Sequence, residues 1–154
     1  MRLFLMAATA GLFTATSFIM AQEALAVQDT PVTINGVEAV CTGVGSAKDD
    51  PRWGAYPIKI VLATSGGANL ANAHVTLNKG GQEVAGLDCD APWILFKAPP
   101  GAYTATATLI GGSGRSSSSN FTSGTAQKEI TITFASSNPA VSLPAGAAPA
   151  PVGQ

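Results

Sequence analysis

Apolar residues recur at every second position through the middle of the chain. Ile58, Ile60 and Leu62 alternate with Lys59 and Val61; Ala73, Val75 and Leu77 alternate with His74, Thr76 and Asn78. Tyr103, Ala105, Ala107 and Leu109 alternate with Thr104, Thr106 and Thr108, and Ile130, Ile132 and Phe134 with Glu129, Thr131 and Thr133. A period of two puts alternate residues on opposite faces of an extended strand, so each run reads as a half-buried strand with a threonine-rich outer face. Such runs predict strands at 32–34, 37–41, 57–63, 73–78, 83–87, 93–98, 102–110, 115–121 and 128–135. Gly66-Gly67, Gly80-Gly81 and Gly111-Gly112-Ser113-Gly114 punctuate them, and Pro99-Pro100-Gly101 adds another stop. Lys79-Gly80-Gly81-Gln82, between two apolar runs, is the best hairpin turn. No segment has convincing helical periodicity. Ser46 is a candidate N-cap for one short turn before Pro51 and no more, and a long loop over 42–56 is the main irregularity. Seven to nine short strands in this length predict an all-β fold, a two-sheet antiparallel β-sandwich.

The ends of the chain depart from this pattern. Arg2 precedes an uncharged stretch, 3–20, and Ala24-Leu25-Ala26 forms an A-x-A cleavage site before Val27. Residues 1–26 therefore read as a cleaved signal peptide, with an uncleaved membrane anchor as the alternative, since about 20 apolar residues suffice to span a bilayer. The cleavage site has no Cys for a lipid anchor, and the leader has no twin arginine. Residues 136–154 hold four prolines and no charge, which disfavours both helix and strand ladder. They read as a disordered or polyproline-like tail, either a passive extension or a spacer lying along a partner or the cell wall. The β-sandwich domain is then 27–135, enough for one modest core, in a periplasmic or secreted protein with no membrane anchor after cleavage.

Composition narrows the partners. The chain is 46% hydrophobic but only 11% charged and 6% aromatic, and its leader and alanine-rich tail account for part of the positive mean hydropathy. Without residues 1–26, seven Lys/Arg and eight Asp/Glu remain. A near-neutral, sparsely charged chain has no basic face to neutralise phosphates, so nucleic acid is excluded as a partner, as is polybasic attachment to anionic lipid.

Candidate chemistry is sparse. Cys41 and Cys89 are the two cysteines, and an even pair in an exported chain reads as a disulfide, with reactive thiols or a metal pair as alternatives. His74, the sole histidine, falls on the outer face of its strand beside Thr76 and Asn78. One histidine cannot build a His-rich metal site, and the chain has no G-x-S-x-G nucleophile elbow; Gly112-Ser113-Gly114 is a turn. No catalytic residue, metal or cofactor is therefore expected, and the chain reads as a non-enzyme. Asp49, Asp50, Asp88 and Asp90 form two acidic pairs that do not fit an EF-hand; solvated loop charge is the simpler reading and calcium the alternative. Asp90 suits the turn into the strand at Trp93. Among aromatics, Trp93 and Tyr103 read as core fillers. Trp53 lies in Pro51-Arg52-Trp53-Gly54 with no strand pattern around it, so Arg52, Trp53 and Tyr56 are the candidate ligand surface; otherwise Trp53 folds down over a sheet edge or an end of the sandwich. Asn120-Phe121-Thr122 matches a glycosylation sequon, discounted in a bacterial-looking export context.

Two stretches carry a resemblance. Gly67-Ala68-Asn69-Leu70-Ala71-Asn72-Ala73-His74-Val75-Thr76-Leu77 resembles a G-x-x-L-x-x-A-x-V-x-L pattern, and Ala98-Pro99-Pro100-Gly101-Ala102-Tyr103-Thr104-Ala105-Thr106-Ala107 is similar to an L-P-P-G-x-Y-x-V-x-A corner. Both belong to the carboxypeptidase regulatory-like domains, which are transthyretin-like (prealbumin-like) or starch-binding-like β-sandwiches. Asp90-Ala91-Pro92-Trp93 is similar to a D-G-P-W segment of small exported bacterial proteins of this group, with Ala91 where glycine is usual. The resemblance spans about half of the core, 56–109; the family's opening G-x-V strand is not recognisable. It implies an Ig-like or prealbumin-like sandwich serving as an accessory module, without catalytic residues, that binds carbohydrate or a protein partner. The transthyretin-like hydroxyisourate hydrolases share the architecture, but their several active-site His and Arg positions and C-terminal tyrosine motif are absent. The alternative is a structural or assembly component of the cell envelope, docking through a sheet edge or the C-terminal tail.

Overall fold

Alternation along the chain becomes two facing layers. The computed structural model describes residues 27–111 and 114–136; the expected signal peptide, the tail after Ser136, and Gly112 and Ser113 lie outside the described residues. Nine strands form: β1 (Val32–Ile34), β2 (Val37–Thr42), β3 (Ile58–Thr64), β4 (Ala73–Lys79), β5 (Gln82–Cys89), β6 (Trp93–Lys97), β7 (Gly101–Leu109), β8 (Ser116–Ser123) and β9 (Lys128–Phe134). They make a five-stranded sheet in the order β1-β2-β6-β3-β9 and a four-stranded sheet in the order β5-β4-β7-β8. The fold is an all-β, two-sheet sandwich.

Its core is the set of inward positions that the alternation marks out. Ile58, Ile60, Leu62, Ile94, Phe96, Ile130, Ile132 and Phe134 of one sheet face Val75, Leu77, Leu87, Tyr103, Ala105 and Ala107 of the other. Several inward positions are alanine (Ala39, Ala73, Ala85, Ala105 and Ala107), so much of the interior is filled by small side chains. Cys41 of β2 and Cys89 of β5 form a disulfide inside this cluster, tying one sheet to the other. A disulfide, together with the fact that no helix among the described residues is long and apolar enough to cross a membrane, is compatible with an exported chain.

Local chemistry sets the turns. β4 and β5 are joined by Gly80 and Gly81 at φ 59 and 81°, the double left-handed conformation of a two-residue hairpin turn that matches strand twist and that glycine adopts without a Cβ clash. Asn35-Gly36 does the same between β1 and β2. The seam between β8 and β9 is closed by side chains: Ser117 Oγ donates to Thr133 O at 3.1 Å, Arg115 Nη1 to Ala135 O at 2.6 Å, and Lys128 Nζ to Thr122 O at 3.1 Å.

Three local expectations need correction. Not every strand pair is antiparallel, because β3 and β9 run parallel from Ile58↔Lys128 to Thr64↔Phe134. Lys128 N bonds Pro57 O at 2.9 Å, so the chain arriving from β8 enters beside the start of β3 and runs with it. The loop after β2 has two 3-10 turns rather than one, at Gly45–Asp49 and Pro51–Ala55. Ser46 caps neither: the first turn starts after Val44 with no side-chain cap, and the second is capped by Asp50, which accepts from Arg52 N at 2.9 Å with Pro51 in the first turn.

Replacing both Cys41 and Cys89 with serine should cost about 4 kcal/mol of stability, the chain-entropy value for a closed loop of this size, across a sequence separation of 48. Urea unfolding of the double variant beside the parent measures it; equal midpoints would show that the bond contributes nothing.

Candidate functional site

The two outer faces of the sandwich are treated differently. On the five-stranded sheet, the loop from Gly43 to Tyr56 folds back and buries Trp53 and Tyr56 against Val40 and Leu95, with Trp93 packed beside them. Trp53 Nε1 donates to Ala47 O at 2.7 Å, and Gln127 Nε2 reaches from the β8–β9 connection to Trp53 O and Tyr56 O at 2.6 and 3.0 Å. The Tyr56 hydroxyl donates to Glu38 Oε1 at 2.7 Å. Gly43, at φ 103°, lies so close to Trp93 that a Cβ there would sit 2.6 Å from the ring's Cγ. That approach needs glycine, and it lets the loop leave β2 across the sheet face.

This packing bears directly on the expected ligand surface. Trp53 and Tyr56 are only 5% and 3% exposed, so neither ring offers an open face for stacking; the loop is a satellite core over β2 and β6, the other course open to Trp53. Of the three residues, Arg52 alone is exposed, its guanidinium 4.9 Å from the Trp53 ring centre and 2.8 Å from Asp50 Oδ2. Trp93 also departs from expectation: it lies outside the main core, half-buried, with Lys59 Nζ 3.5 Å over its ring and bridged to Glu129 at 2.9 Å. Tyr103 is buried in the main core as expected, with its hydroxyl donating to Pro99 O at 2.6 Å.

Among the described residues, the outer face of the four-stranded sheet is uncovered and polar. Cross-strand register aligns its residues into three rungs: His74, Thr108 and Ser116; Thr76, Thr106 and Ser118; and Asn78, Thr104 and Asn120. Side chains on one face of neighbouring strands stand about 5 Å apart, close enough to bond. Thr108 and Ser116 hydroxyls meet at 2.7 Å, and the Thr104 hydroxyl donates to Asn120 Oδ1 at 2.6 Å. Asn78 Nδ2 donates to Thr76 Oγ1 at 3.2 Å, linking two rungs along β4.

At the Asn78 end this face is concave. The Gly80-Gly81 turn, Asn78, Thr104, Asn120, Thr122 and Ala102 surround a depression of about 490 Å³ floored by β7 and β8 at Tyr103 and Phe121. The two aromatic residues point the other way, stacked on each other with centres 6.1 Å apart. The lining has no charged side chain. Lys79 at the end of β4 is drawn to the inner side, its Nζ 5.5 Å from the Tyr103 ring centre. A ligand here would meet amides, hydroxyls and peptide groups.

At the other end of the face, Asp88 is not the loop charge expected of it. β5 continues to Cys89, placing Asp88 directly opposite His74, and Asp88 Oδ1 lies 2.6 Å from His74 Nδ1. Asp49 lies at the end of the first 3-10 turn, Asp50 is engaged by Arg52, and Asp90 accepts from Gln28 Nε2 at 3.1 Å. Among the described residues, no three His, Cys, Asp or Glu side chains are grouped to hold a metal. Asn78, Thr104 and Asn120 were visible in the sequence as outer-face strand residues and as part of a sequon. Their convergence depends on register across three strands, which no local pattern encodes.

Ionisation follows burial and pairing. The hydrogen bonds from Arg52 hold the Asp50 carboxyl below its usual range, and burial pushes both phenols up, with the bond to Glu38 adding to the effect at Tyr56. Two outcomes follow. Trp53→Ala should cost about 3 kcal/mol by emptying the satellite core, read by urea unfolding; a change near zero would mean the loop is not anchored by that ring. Because the folded chain retains phenolic protons that the unfolded chain releases, the tyrosines' contribution to stability is complete below the ordinary phenol value of 10.0. It is lost as pH rises beyond that value. Phenolate absorbance should therefore rise together with unfolding, and half-ionisation at pH 10 in the folded protein would contradict this.

The chain matches no protein-family model and no curated protein.

Proposed function

We propose that the protein is an exported, non-catalytic β-sandwich module that binds a neutral carbohydrate on the outer face of its four-stranded sheet. The observation that carries this reading is the uncharged depression lined by Asn78, Thr104, Asn120 and Thr122. A sugar presents a dense set of hydroxyls, each able to donate and accept, and amide and hydroxyl side chains match that pattern without the desolvation cost of burying a charge. The groove is open and shallow, as suits a ligand that remains partly hydrated.

The resemblance to carboxypeptidase regulatory-like domains supports the same class of role, though it pointed to the loop at Trp53 no more than to this face. The non-catalytic reading is supported by the row containing His74. Thr108 and Ser116 bond each other at 2.7 Å, and an open sheet face does not exclude water from a reaction. Periplasmic or secreted placement rests on the leader-like residues 1–26 and fits the disulfide.

A second reading, an envelope component docking through a sheet edge, is favoured by one observation: among the described residues β5, eight residues long, has a strand neighbour on one side only. Co-purification from the native envelope separates it from the first reading.

A glycan array carrying neutral and acidic sugars tests the principal reading. Binding should favour neutral glycans, and Asn120→Ala should weaken it about tenfold or more, equivalent to about 1.4 kcal/mol, with the melting temperature little changed. No bound glycan, or binding indifferent to Asn120→Ala, would overturn it.

A further inference from the structure

The four outermost strands of the sandwich are not equally open. β1 is three residues long. β8 and β9 border the same side of the sandwich, and side chains take up carbonyls along both: Ser117 and Arg115 donate to Thr133 O and Ala135 O, and Lys128 to Thr122 O. β5, Gln82–Cys89, is long and has no such lacing among the described residues. Val84 is an extra residue in its pairing with β4, opposite the step from Leu77 to Asn78. That bulge leaves the stretch from Ala85 to Cys89 as the regular free edge.

Charge along this edge has one sign. β5 carries Glu83 and Asp88 and neither lysine nor arginine. Asp88 stands on the outer face opposite His74. Glu83 folds back along its own strand onto the same face: its Oε1 is 2.6 Å from where a Cβ on Gly86 would lie, and Thr76 Cγ2, across the pair, is 3.4 Å from that point. The Glu83 carboxylate therefore takes the place of a side chain at 86, and two acids occupy the successive outer positions 86 and 88. Glu83 makes no hydrogen bond or ion pair among the described residues. A second copy pairing through its own β5 would add two more acids and no cation to the ribbon, and like charges across a strand pair destabilise it. An incoming strand with cations at two successive same-face positions meets both carboxylates while its backbone pairs with the free edge.

Resting on the edge-docking reading above, we infer that β5 receives an extended segment of a partner protein with lysine or arginine at two positions two residues apart. One cation meets Asp88 and the other the Glu83 carboxylate over Gly86. The segment adds as a fifth strand beside β5, and the acids that discourage self-pairing are the ones that select it.

The probe is the end-blocked peptide Thr-Thr-Lys-Val-Lys-Thr-Thr. Its controls have both lysines changed to glutamate, or the central valine changed to proline, which removes a ladder donor. Nuclear magnetic resonance titration of the full chain gives the affinity of each, and amide exchange gives its location. The lysine peptide should bind about tenfold or more tighter than either control, and Glu83→Lys should weaken it about fivefold or more with the melting temperature unchanged. Exchange should slow within 85–89, and light scattering should find the chain alone to be a monomer. Equal affinity for the lysine and glutamate peptides with β5 protected by both, or full affinity in Glu83→Lys, overturns the charge rule and leaves edge docking standing. A dimer of the chain joined through β5 overturns the choice of partner. Binding that survives the proline change, protection of another strand, or no binding by any peptide overturns docking at the β5 edge and this inference with it.

Discussion

The Cys41–Cys89 bond joins two sheets whose contact is built partly from alanine. Alanine fills inward positions on β2, β4, β5 and β7, so there the contact comes from short side chains whose burial contributes less than a leucine or phenylalanine would. A single modest core of this kind has little margin against chain entropy. The disulfide fixes β2 to β5 across the sandwich and sets the spacing at which alanine faces can touch. It also ties down the register of β2 and β5, because a one-residue slip in either would carry its cysteine out of the core.

From that constraint comes the division of labour between the outer faces. The five-stranded sheet has apolar residues on its outer side, Val40 and Leu95, which cannot be left to water without cost, and the loop carrying Trp53 and Tyr56 covers them. The four-stranded sheet has threonine, serine, asparagine and histidine on its outer side, with the Asp88 carboxylate beside His74, and these need no cover. The aromatic residues are thus used up in stabilising the fold, and the open surface is built mainly from amides and hydroxyls. Side-chain positions on that open face are set by strand spacing and pleat rather than by a loop.

Much of the fold could be read from the chain. All nine predicted runs are strands, because period-two alternation with glycine or proline at the ends is a local signal that tertiary contacts here reinforce. β5 runs on past the expected 83–87 to Cys89, since the inward positions Ala85 and Leu87 continue to Cys89, and this extension brings Asp88 opposite His74. The loop leaves two readings open in the sequence, because a tryptophan outside any strand pattern looks the same whether it faces solvent or folds back, and the structure takes the second. Gly43 was the available clue, since a glycine at the end of an apolar strand admits a close approach by a ring.

What the sequence determined alone is what local physics encodes: strands from alternation, turns from paired glycines, and a chain sparse in charge. What only the tertiary structure decided is which strands are neighbours. The parallel pairing of β3 with β9, the burial of Trp53 and Tyr56, and the alignment of Asn78, Thr104 and Asn120 into one rung all depend on strand order and register. Those are set by how two whole faces fit around one disulfide, a sum over contacts distant in the chain that no short stretch contains.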